Sequence, residues 1–175
     1  MTWQQHLSFL PNPFDGLGVR ANYSYTTSEA SFPNVPALDP NFPTRADHPA
    51  LLRQAPNNWN LDLTYDKKGF AGRIGATHND ANIFAYNYQP AVDGSNGPLH
   101  GPNGDVYLYP HTQLDAQASY WIPRGHGLEA VVSLLNITNE VFGFYQGSEQ
   151  FPIQREFYDR TFMVGMRWTL TRESK

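Results

Sequence analysis

Seven stretches of this chain alternate apolar and polar residues with a period of two, and none holds the i, i+3, i+4, i+7 pattern of a helix for three turns. In LGVRANYSY, Leu17, Val19, Ala21, Tyr23 and Tyr25 share one face, with Gly18, Arg20, Asn22 and Ser24 on the other. WNLDLTY sets Trp59, Leu61, Leu63 and Tyr65 against Asn60, Asp62 and Thr64; FAGRIGAT sets Phe70, Ile74 and Ala76 against Arg73 and Thr77. LDAQASYWI, LEAVVSLL and TFMVGMRWTL repeat the pattern, and WQQHLSF begins it with Trp3, Leu7 and Phe9. The expectation is an all-β chain of seven strands.

The connections between these stretches alternate in length. PNPFDG, DKKG and PRGHG are short and rich in Pro, Gly and Asp, suited to tight reversals. Residues 28–57, 79–111 and 138–159 are long and rich in Pro, Gly, Asn or aromatics. If successive strands run antiparallel, every short turn falls at one end of the sheet and every long loop at the other. Outer-membrane barrels have that asymmetry, with short periplasmic turns and long extracellular loops.

The polar face carries isolated charges of both signs, Arg20, Asp62, Arg73, Asp115, Glu129 and Arg167. One or two per strand suits residues that line a wet lumen and pair across strands, whereas the outer face of a soluble sandwich carries many more. Trp3, Tyr25, Trp59, Tyr65, Phe70, Tyr120, Trp121 and Trp168 stand near strand ends, as in the aromatic girdles of a membrane barrel, although aromatics favour strands in any setting.

Composition narrows the function classes. Charged residues make up 16% of the chain against about 25% in an average soluble domain. The net charge of −4, with scattered Lys and Arg, leaves no basic stripe for a phosphate backbone, so nucleic acid is not an expected partner. No cysteine is present, which excludes disulfides, thiolate metal sites and a Cys nucleophile. No apolar run reaches the roughly 18 residues of a transmembrane helix, a test to which a barrel is blind.

Several segments in succession resemble the late barrel strands of TonB-dependent outer-membrane receptors. WQQHLSFLPNPFDGLGVRANYSYTTSEA resembles a strand that ends in LSFLP and returns through GL into NYSY, and NNWNLDLTYDKKGFAGRIGATHND resembles the hairpin that follows. LLNITNEVFGFYQGSEQFPIQREFYDRTFMVGMRWTL resembles the closing segment: an Asn-Ile-Thr-Asn corner, an aromatic loop with YQG, and a last strand running from Arg160 through Phe162, Gly165, Arg167 and Trp168 to Leu170. The resemblance covers nearly the whole chain.

It implies a transmembrane β-barrel of about 22 strands with a plug in its lumen, of which these seven would be a C-terminal part spanning residues 1–175. The function implied is uptake of a scarce nutrient (a siderophore, cobalamin or an oligosaccharide) across the outer membrane of a Gram-negative cell. The partners implied are outer-membrane lipid, a small-molecule ligand and, only through the plug, TonB. No signal peptide, plug or TonB box is recognisable in this sequence, so the expectation is a fragment or truncated product. The tail TLTRESK also departs from the family by running past Leu170 without a terminal aromatic.

Ligand contact is expected in the long loops, at Phe84, Tyr86, Tyr88, Tyr107, Tyr109, Phe144 and Tyr145, rings with polar neighbours of the kind that stack on sugars or siderophores. Extension of strands beyond the membrane accounts for the same residues equally well. No catalytic, metal or cofactor site is expected. The six histidines lack an i, i+4 pair, and VDGSNGPLHGPNGDVY, with Asp93, Asn96, Asn103 and Asp105, does not fit the spacing of a calcium-binding EF-hand loop. No GxSxG occurs, and Asp115 and Glu129 read better as salt-bridged residues than as a glycosidase pair. The alternative from another class is a soluble secreted β-sandwich that binds carbohydrate through its aromatic loops.

Overall fold

The computed structural model describes residues 1–31, 48–86, 101–123 and 126–169. It is all-β, with strands β1 (Thr2–His6), β2 (Leu17–Tyr25), β3 (Asn57–Lys67), β4 (Phe70–Asn79), β5 (Asn82–Ala85), β6 (Val106–Leu108), β7 (His111–Trp121), β8 (Leu128–Leu135), β9 (Phe142–Gln146), β10 (Pro152–Glu156) and β11 (Thr161–Trp168). The seven alternating stretches form one antiparallel sheet in the order β1-β2-β3-β4-β7-β8-β11. The other four strands were not foreseen. They lie within the long connections and form a second antiparallel sheet, β10-β9-β6-β5.

Each local signal has its structural consequence. Lys68 and Gly69 both take left-handed φ, 51° and 79°, the pair of values that a two-residue type I′ hairpin needs between twisted strands. The β1–β2 turn lies against the end of β3 because Gly16 has no side chain; a Cβ there would stand 2.7 Å from the Asp66 carbonyl oxygen. Lys67 pairs with Asp15, and the Tyr65 hydroxyl donates to the Pro13 carbonyl at 3.1 Å. The strand expected over WQQHLSF stops at His6, and Phe9 lies in the turn, 74% exposed.

Register aligns the two faces strand by strand. Val19, Leu63, Ile74, Ala116, Leu134 and Phe162 stand side by side across six strands of the sheet. Gln4, Arg20, Asp62, Gly75 and Asp115 do the same on the opposite face. Both faces are open: Ile74 is 50% and Val164 68% exposed on the apolar side, and the Arg73 and Arg167 side chains 54% and 67% on the polar side, where Asp62 is enclosed at 6%. Among the described residues the buried apolar ones are Ala55, Ile83 and Tyr145, all at the loop end and none on the seven-stranded sheet.

The two sheets do not pack face to face, so among the described residues nothing covers the apolar side. The seven-stranded sheet is open, with one side of β1 and one side of β11 unpaired. All three short turns are at one end and all three long connections at the other, as the alternation of lengths required.

Candidate functional site

At the loop end the small sheet gathers five of the seven aromatics expected to meet a ligand. Strand alternation divides them between two faces. On one, the rings of Tyr107 and Tyr145 stack at 5.2 Å and Tyr109 tilts onto Tyr145 at 4.6 Å, with Ile83 beside them in register. On the other, Phe84 meets Phe144 edge-on at 4.7 Å and Phe142 meets Phe144 at 5.3 Å. Tyr145 is 7% exposed, so it is the centre of this sheet's own core rather than an open stacking surface. Phe84, at 36%, keeps a face in solvent. Tyr86 donates its hydroxyl to the Ala50 carbonyl, tying the second long connection to the first, and Tyr88 lies outside the described residues.

Two arginines complete these clusters and have no signal in the sequence. The Arg53 guanidinium lies 4.7 Å from the Phe84 ring centre, and that of Arg155 lies 4.4 Å from Tyr109. Gly143 makes the second contact possible, since a Cβ there would be 2.9 Å from the Arg155 Cδ. The stretch FGFYQ, read from sequence as a loop, is therefore strand β9.

A polar network closes the loop end of the large sheet. The Tyr23 hydroxyl donates to Asn57 Oδ1 at 2.6 Å, the Asn57 amide donates to Asp80, and His78 bridges Asp80 Oδ1 at 3.0 Å and the Thr112 hydroxyl at 2.7 Å. Trp59 stacks on His78 at 5.2 Å. Donation from Asn57, then from His78, holds the Asp80 carboxyl below its ordinary pKa. A depressed folded pKa contributes stability that is present above the unfolded value near 4 and lost as pH falls through the folded value. The amide of Asp80, bonded to the Asn57 carbonyl at 3.0 Å, should therefore lose hydrogen-exchange protection below about pH 4. In Asp80→Asn that acid step should disappear; its persistence would assign it elsewhere.

The corner after β8 is organised by Asn136, which is buried and has φ 55°. Its Nδ2 donates to the carbonyls of Glu140 (3.3 Å) and Asp159 (3.1 Å), and its Oδ1 accepts from the Glu140 amide at 2.7 Å. Asp115 Oδ1 receives the Asn136 amide at 2.8 Å, and both Asp115 oxygens receive Gln113. The salt bridge expected of Asp115 is thus replaced by a capping role.

All six charges assigned from the sequence to one face do share it. Arg73 reaches Asp62 Oδ1 through Nε (2.9 Å) and Nη2 (2.7 Å), and Arg167 Nη1 reaches Glu129 Oε2 at 3.1 Å, the pairing across strands that alternation suggested. Gly75 holds the space for the first pair, since a Cβ there would stand 2.3 Å from Asp62 Oδ1. Arg20, opposite Asp62 in register, is exposed and makes no ion pair among the described residues.

No family model, no curated protein and no solved structure matches this chain.

Proposed function

We propose that this chain is a C-terminal part of an outer-membrane barrel of the TonB-dependent receptor kind, a component of nutrient uptake rather than an enzyme. One observation carries the reading: among the described residues nothing lies across the apolar side of the seven-stranded sheet, whose polar side holds the ion pairs Asp62–Arg73 and Glu129–Arg167. In water such a face is an aggregation surface; in lipid it is the solvated one. The strand lengths suit that solvent, since β2, β3, β4 and β7 have 9, 11, 10 and 11 residues and a tilted membrane strand needs about 9–11. Aromatics border the apolar band at both ends, Tyr23 and Trp59 towards the loops, Tyr65, Phe70 and Tyr120 towards the turns.

Strand direction adds a second argument. β1 and β11 both run from the loop end to the turn end, so antiparallel closure takes an odd number of further strands. The remainder of a barrel of about 22 strands meets that condition, whereas a second copy set beside the first in the same orientation would place its β1 parallel to β11. The loop-end rings, with Phe84, Arg53 and Arg155 facing solvent, are the surface that a small nutrient would meet first. The soluble sandwich reading requires a second layer over the apolar face, and the small sheet does not supply it.

The deciding measurement is partition. Refolded from denaturant, the chain should precipitate without detergent and recover strand circular dichroism in micelles. A monomer that stays folded in buffer alone would overturn the membrane reading and favour the sandwich.

A further inference from the structure

On the polar face, between the two ion pairs, lies a depression of about 230 Å³ lined by Ala71, Gly72, Arg73, Gln117, Ser119, Val131 and Arg167. Its floor is small because Ala71, Ser119 and Val131 stand side by side on β4, β7 and β8. Arg73 and Gln117, cross-strand neighbours, form one wall, and Arg167 on the edge strand β11 forms the other. None of the lining side chains is acidic. Asp62 and Glu129 stand outside the depression, each holding one arginine by part of its guanidinium.

The geometry leaves donors to spare. Asp62 takes the Nε and Nη2 side of the Arg73 fork, and Glu129 takes one nitrogen of Arg167; arginine has five N–H groups in a fixed plane. The two side chains remain 54% and 67% exposed, whereas the carboxylates behind them are 9% and 17% exposed. The acids are thus withdrawn while the cations face the cavity, where the Gln117 amide and Ser119 hydroxyl can add donors. Two forked donors converging on a small polar hollow match an oxyanion that accepts at several oxygens.

We propose that this depression binds a small multivalent oxyanion, a phosphate or a di- or tricarboxylate, between Arg73 and Arg167, with Asp62 and Glu129 as positioning residues. The site is separate from the loop-end aromatics and does not depend on which solvent covers the apolar face. The withdrawn acids temper the positive potential, so binding is readily reversible and weakens with salt.

The test is titration of the full chain, refolded in neutral detergent at constant ionic strength, with inorganic phosphate and separately with citrate, followed through the arginine side-chain N–H resonances. Saturable binding of one anion per chain is expected for at least one of the two. Arg167→Gln should weaken it at least tenfold. Gln117→Glu, which leaves both ion pairs intact and fills the hollow with a carboxylate, should do the same. Arg20→Gln, on the same face but outside the hollow, should change it less than twofold. Absence of saturable binding with both anions, unchanged affinity in Gln117→Glu, or equal weakening in Arg20→Gln would each overturn the proposal. The aggregation that disfavours the membrane reading's rival has no bearing on these outcomes, so the two ideas fail separately.

Discussion

Tyr145→Ala is expected to melt the four-stranded loop-end sheet while the seven-stranded sheet stays folded, at a cost of about 3–4 kcal/mol to the smaller unit. Tyr145 is one of only three buried apolar residues among those described, and two tyrosines pack on its ring. Removing it leaves a cavity that a sheet of three- to five-residue strands has no other side chain to fill. Hydrogen exchange should show the amide of Tyr109, bonded to the Gly143 carbonyl at 3.1 Å, losing protection while the β3–β4 ladder keeps it. If Tyr145 were mainly a ligand platform, the truncation would leave both regions protected. Phe84→Ala, at a half-open ring, should cost much less. The same burial, with Glu149 nearby, pushes the Tyr145 phenol above its ordinary pKa. A raised folded pKa gives stability that is present below about pH 10 and lost as pH rises through the folded value; Tyr145→Phe should remove that alkaline step.

Asn136→Ala should destabilise the corner between β8 and β9 by about 4 kcal/mol. Three side-chain hydrogen bonds disappear, each worth about 1 kcal/mol net, and alanine must then hold a left-handed φ at a further cost of about 1 kcal/mol. Asn136→Gly separates the two effects, because glycine accepts φ 55° freely but makes none of the bonds. Its loss should be smaller, about 3 kcal/mol. Equal losses in denaturant titrations of the two variants would show that backbone conformation contributes nothing here. Loss of the Asp159 contact should also free the start of β11, whose eight residues are all exposed and paired on one side only.

What was legible in the sequence followed from local periodicity. Seven alternating stretches became the seven strands of the large sheet, and the order of short and long connections placed the turns and loops at opposite ends. The strands β5, β6, β9 and β10 escaped because runs of three to five residues are too short for alternation to stand out from a loop rich in aromatics. FGFYQ does alternate, but Gly143 and Tyr145 on one side with Phe142, Phe144 and Gln146 on the other give no contrast between polar and apolar faces. The charge pairs Asp62–Arg73 and Glu129–Arg167 could be anticipated from shared face and opposite sign, whereas the release of Arg20 from Asp62 could not. Arg73 takes Asp62 Oδ1 with both Nε and Nη2 across the space left by Gly75.

The sequence by itself determined the strand class, the two chemically opposite faces and the end at which the long connections gather, because alternation and turn chemistry act between residues a few positions apart. Only the tertiary structure decided which loop segments pair with one another, that Tyr145 is enclosed while Phe84 is open, and that Arg73 and Arg167 frame one hollow. Those outcomes depend on register and on contacts between residues tens of positions apart, and such contacts are fixed by the shape of the assembled sheets rather than by any local pattern.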